Sequence, residues 1–117
     1  MTIFKIAAAA DWRDAERAGR FDGSAHDKAD GFIHFSTGPQ LAETLRLYYA
    51  GQNDIVLVAV DETLLGPALK WEYAASRGQH FPHLYGPLPL AAATWTQPIR
   101  RDATGTAIVP EMAFDKG

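Results

Sequence analysis

Hydrophobic and polar positions alternate over residues 2–7, where Ile3, Phe4 and Ile6 stand among shorter or polar side chains, and this pattern predicts an opening strand. Asp11 is placed to cap a short helix to about Ala18; Trp12, Ala15 and Ala18 give it a narrow apolar stripe, and Gly19 supplies the stop. Residues 20–30 mix Gly, Ser, His, Asp and Lys with one Phe and keep neither period. They read as a loop, long enough to act as a lid or binding segment. A short strand follows over residues 32–35. The chain then turns into a helix whose start is marked twice, by Thr37 and Gln40 spaced as in a capping box and by Pro39 in the first turn. Leu41, Leu45 and Tyr48 or Tyr49 continue that helix as one apolar stripe up to Gly51.

Residues 55–60 are apolar without interruption and follow a Gln-Asn-Asp turn, the signature of a strand buried on both faces. Residues 69–73 alternate again, which sends Glu72 to the face opposite Trp71 and Tyr73. Two prolines and a glycine punctuate residues 81–87, a stretch that reads as irregular. Residues 90–96 and 106–109 read as closing strands joined by a turn through Asp102 and Gly105. The sum is a single α+β domain over residues 1–117: a compact, mostly antiparallel sheet with two helices.

Composition narrows the possibilities. A chain of 117 residues with 47% hydrophobic and 21% charged side chains can bury one core without a staple. The absence of cysteine removes disulfides, thiolate zinc sites and cysteine nucleophiles, and it fits a reducing cytoplasm. A formal charge of −3 offers no field for nucleic acid or anionic lipid, and Arg100-Arg101 is too small a basic cluster to track phosphates. The apolar start closes at Asp11, too short for an export signal or a membrane span. We therefore expect a soluble, cytoplasmic protein that engages neither membrane nor nucleic acid.

Three places can carry chemistry. His34 shares its strand side with Phe32 and Ser36, and beyond it Ser36, Thr37 and a helix start offer hydroxyls and backbone N–H groups suited to a phosphate, a ribose hydroxyl or a carboxylate. The plainer account makes Thr37 a helix cap and His34 a half-buried strand residue. In the segment from Gln79 to Gly86, two imidazoles and several aromatics crowd among rigid prolines, so His83 and Tyr85 are either ligand contacts or part of a plug at the sheet end. Glu72 is either a solvated outward residue or a poised acid or base. His80 and His83 have a ligand-like spacing, but without helix or cysteine support no metal is expected there.

Taken together, Gly31-Phe32-Ile33-His34 with Ser36, Thr37 and Gln40, then Trp71-Glu72, then Phe81-Pro82-His83-Leu84-Tyr85-Gly86-Pro87-Leu88, closely resemble the family designated DUF952, from the first strand to about Pro98. That family looks like a compact relative of the ADP-ribosyltransferase fold. The resemblance implies that His34 holds the nicotinamide-side ribose and that Glu72 supplies the later-strand carboxylate beside an oxocarbenium-like centre. Tyr48, Tyr49 or Tyr85 would offer an aromatic surface for the departing ring. Ser36, Thr37, Tyr48, His83 and Tyr85 are accordingly the expected substrate contacts. The implied partner is a nucleotide or other small molecule: NAD as a substrate, with no bound cofactor, for an enzyme of transfer or hydrolysis, or the same pocket kept as a non-catalytic binding module.

Overall fold

The computed structural model describes residues 1–114. In chain order the elements are β1 (Thr2–Ala8), α1 (Ala9–Ala18), β2 (Arg20–Phe21), α2 (Ala25–Asp30), β3 (Ile33–His34), α3 (Leu41–Tyr48), β4 (Ile55–Asp61), β5 (Leu69–Ala74), β6 (Gln79–Leu84), β7 (Leu88–Pro89), β8 (Ala93–Pro98), β9 (Arg100–Arg101) and β10 (Ala107–Ile108), with 3-10 turns between several of them. The α+β, mostly antiparallel character holds, but the strands divide into two three-stranded sheets, β1-β4-β8 and β3-β6-β5, and two short ribbons rather than one sheet.

The first sheet is the spine. Its middle strand β4 pairs with β1 on one side and β8 on the other. Strand alternation then splits one apolar run between two cores. Val58 and Val60 face a cluster with Ile3, Trp12, Phe21, Ile33, Phe35, Leu84 and Leu88, while Leu57 and Ala59 face a second cluster with Phe4, Ile6, Leu41 and Leu45. Helix α1 therefore covers one face through Trp12 and Ala15, and α3 covers the other through Leu41 and Leu45. The second sheet joins this spine through Ile33 and Leu84, and a two-residue bridge pairs Phe4 with Ser36 at the corner.

Further sequence expectations change, beginning with the closing segment, where Leu90–Ala92 is a 3-10 turn before β8 and β10 pairs with β9 across the Asp102 turn. Helix α1 begins at Ala9, so Asp11 sits in its first turn instead of capping it, although Gly19 does close it in the left-handed conformation at φ 82°. Residues 20–30 are no loop: they hold β2 and α2, a third helix started by a Ser24 capping box. The helix after Thr37 opens with a 3-10 turn at Gly38–Gln40, and a Cβ at Gly38 would collide with the Ala113 carbonyl. Finally, Gln79–Leu84 is the middle strand of the second sheet despite Pro82. The proline is tolerated because its missing N–H faces β3 where that ladder stops; the Pro82 carbonyl still accepts from the Phe35 N–H at 3.0 Å.

Candidate functional site

The site starts from a buried carboxylate. Ser24 caps α2: its Oγ accepts from the Asp27 N–H at 3.1 Å, and the Ser24 N–H donates to Asp27 Oδ2 at 2.8 Å. Gly31 then ends the helix at φ 86°, a left-handed conformation open to it because it has no Cβ, and turns the chain directly into β3. This places the Asp27 carboxylate, 2% exposed, against Lys5 of β1, also 2% exposed, with Lys5 Nζ 2.8 Å away. The same carboxylate accepts from the His34 backbone N–H at 3.2 Å and contacts the His34 ring Nδ1 at 2.6 Å. Burial alone would push the Asp27 carboxyl up. The hydrogen bond from His34 and the charge and hydrogen bond of Lys5 outweigh it and hold Asp27 well below the usual carboxylate range. Because an ionised carboxylate only accepts, His34 Nδ1 carries a proton toward Asp27.

Antiparallel register then assembles the rest on one face. His34 lies opposite His83, and His83 lies opposite Lys70, two residues from Glu72 on β5. The His34 and His83 rings meet edge-on with centroids 5.7 Å apart, and the Phe32 ring stacks on His83 at 4.0 Å and reaches Tyr85 at 5.3 Å. Glu72 Oε1 accepts from the Tyr85 hydroxyl at 2.6 Å and from His83 Nδ1 at 2.8 Å. Those two donors, Tyr85 first, hold the Glu72 carboxyl below its ordinary value, and the same bond pushes the Tyr85 phenol up. Glu72 is thus an ionised acceptor and not a proton donor at neutral pH.

Other expected contacts lie elsewhere or are already engaged. Ser36 is buried, with its Oγ 3.2 Å from Thr44 Oγ1. Thr37 donates its N–H to Gln40 Oε1 at 2.9 Å and lines a separate cavity of about 710 Å³ with Phe4, Trp95 and Phe114, away from His34. Tyr48 is exposed, 5.8 Å from the Arg77 guanidinium, which also lies 4.6 Å over the Phe81 ring. His34, Glu72, His83 and Tyr85 are therefore the expected residues that the fold brings together. Lys5, His26 and Asp27 were absent from that expectation, and Asp30 and Phe32 lay in the expected stretch without a role. The Ser24-x-x-Asp27 spacing was the available signal, since it starts a helix in the stretch read as a loop.

Comparison with known proteins gives a family without an activity. The sequence model of the family described as "Protein of unknown function (DUF952)" matches residues 6–96. The crystal structure of protein CC0527 from Caulobacter crescentus is 42% identical, with 97% of this chain and 98% of that chain covered and a TM-score of 0.90. The solution NMR structure of CC0527 is 45% identical, covers 95% of this chain and 92% of that one, and gives a TM-score of 0.80. No curated protein matches. Among the described residues, no helix is long and apolar enough to cross a membrane.

Proposed function

The chain belongs to the DUF952 family, and we propose that the β3-β6-β5 face of this member binds a nucleotide of the ADP-ribosyl class, with NAD the expected substrate, and cleaves its nicotinamide–ribose bond. One observation carries this reading: His34 and an ionised Glu72 stand on the same face, joined through His83, with the Phe32 and Tyr85 rings between them. The resemblance of the family to ADP-ribosyltransferases, which rests on His34 and Glu72, supports the choice of substrate class.

The residues suit the chemistry. Breaking the C–N bond sends its electron pair to nicotinamide, which departs neutral and needs no acid, and leaves positive charge on the ribose carbon. An ionised Glu72 stabilises that charge, and its two donors fix where the carboxylate points. Water closes the cycle by adding hydroxide to the ribose carbon and releasing a proton; another nucleophile in its place gives transfer. His34 holds a sugar hydroxyl through Nε2, displacing the half-exposed Asp30 carboxylate now 2.9 Å away. Phe32 and Tyr85 offer the ring surface for nicotinamide. Arg77, over Phe81 two positions from His83 on the same strand side, supplies a cation toward the diphosphate.

Chromatographic measurement of nicotinamide released from NAD tests this. Release by the intact chain, lowered about 100–1,000-fold in Glu72→Gln, is the expected result, the size of losing one electrostatic contact in a transition state. Release that Glu72→Gln leaves unchanged contradicts it. A binding module is the second reading, favoured by the closed state of His34, whose two ring nitrogens both contact carboxylates. Saturable nucleotide binding without nicotinamide release selects it.

A further inference from the structure

We propose that His26, Asp30 and His34 form a binding site for a divalent transition-metal ion. Each offers one ligand atom, and the three atoms lie within 4.8 Å of one another. Asp30 Oδ2 is the shared centre, 2.9 Å from His34 Nε2 and 3.6 Å from His26 Nε2. Bonds of about 2.0–2.2 Å to one ion set neighbouring ligand atoms roughly 3 Å apart, so the His34–Asp30 spacing already fits and the stacked His26 ring must turn inward to complete the set. Helix α2 supplies His26 and Asp30 four residues apart on one side, and the Gly31 turn brings His34 to them from β3.

The buried layer beneath is what a metal-binding histidine requires. Asp27, fixed by Lys5 and Ser24, accepts a hydrogen bond from His34 Nδ1–H at 2.6 Å and so presents Nε2 as the ligand atom. Nε2 then faces a carboxylate oxygen at 2.9 Å, and two acceptors at that distance need a positive centre between them. A proton satisfies that pair alone. It gives no role to His26, whose ring stacks on His34 with centroids 4.7 Å apart and whose Nε2 lies 3.6 Å from the same oxygen. A metal ion uses all three. The His26 side chain is 74% exposed and can turn its lone pair inward without disturbing the core. Two imidazoles and one carboxylate favour Zn(II), Co(II) or Ni(II) over Mg(II) or Ca(II), and leave positions open for water or a ligand oxygen.

The ion and the proposed nucleotide both use His34 Nε2, so saturating Zn(II) should weaken nucleotide binding, and the reverse. The metal itself is tested without nucleotide. Zn(II) titrated into the chelator-treated full chain by calorimetry should bind at one ion per chain, and Co(II) should develop visible absorption bands of a nitrogen and oxygen ligand set. His26→Ala and Asp30→Asn should each weaken binding by at least about tenfold, since losing even an outer partner of a ligand costs about 10–100-fold. His80→Ala, remote from the cluster, should leave it unchanged. Asp27→Asn should lower affinity while keeping the one-to-one ratio; if that variant does not fold, His26→Ala, altered only at an exposed side chain, decides. No saturable site, or equal losses in His26→Ala and His80→Ala, overturns the proposal.

Discussion

The two three-stranded sheets of this protein are built on opposite terms. In β1-β4-β8 nearly every middle-strand side chain is buried, Leu57, Val58, Ala59 and Val60 all at 0% exposure, and the faces differ only in which apolar cluster they meet. In β3-β6-β5 one face carries Ile33 and Leu84 into the core, while the other displays His34 edge-on to His83, and His83 hydrogen-bonded to Glu72. The first sheet sets stability by packing. The second keeps polar groups half exposed, and that is affordable only because the first anchors it. Lys5 is the polar tie between them: it lies within β1 between Phe4 and Ile6, yet its ammonium ends on the α2 carboxylate that orients His34.

That junction should show the largest effect. Asp27→Ala leaves Lys5 buried without its partner and removes the α2 capping box, so a loss of about 3–5 kcal/mol in urea unfolding is expected. A loss near zero would mean that the two sheets are not coupled through this pair. Leu57→Ala, in the spine alone, should cost about 2–5 kcal/mol by leaving a cavity. It should leave the His34 ring signals in proton NMR unchanged in the folded state, whereas Asp27→Ala should move them. Gly31→Ala forces a Cβ into a left-handed position and should cost about 1–2 kcal/mol.

Acid unfolding sharpens the same contrast. Asp27 has its folded carboxyl held below the ordinary 3.8, so the stabilisation it provides is complete above that value and is lost as pH falls through the lower folded one. Wild-type stability should therefore keep falling below about pH 4, with a shallower slope in Asp27→Asn. Smallest of all, Glu72→Gln should change the unfolding midpoint least, because its side chain is 40% exposed and its hydrogen bonds go to His83 and Tyr85. Its effect belongs to ligand chemistry, and a marked loss of stability would recast Glu72 as structural.

The same contrast explains what the amino-acid sequence made legible. A continuous apolar run such as residues 55–60 can hardly be anything but a doubly buried strand, and Leu41 and Leu45 announce the covering helix. Strand alternation also put Glu72 correctly opposite Trp71 and Tyr73. Two sites resisted. Pro82 argued against a strand, yet its missing donor points to the place where a two-residue strand ends, a fact about the neighbour and not about the proline. Residues 20–30 show no apolar period because α2 is six residues long and buries Asp27, so its hydrophobic stripe is replaced by an ion pair 22 residues away in sequence. The grouping of His34 with His83 was legible only as motif. Its partners Lys5 and Asp27 depend on tertiary contact.

The most direct test of the central claim is to map where a nucleotide binds. Backbone and aromatic NMR shifts recorded while NAD is titrated into the protein should move at Phe32, His34, Glu72, His83 and Tyr85, and stay still at Phe4 and Trp95, which line the separate cavity. Shifts confined to Phe4, Trp95 and Thr37, or no shifts at saturating nucleotide, would contradict it.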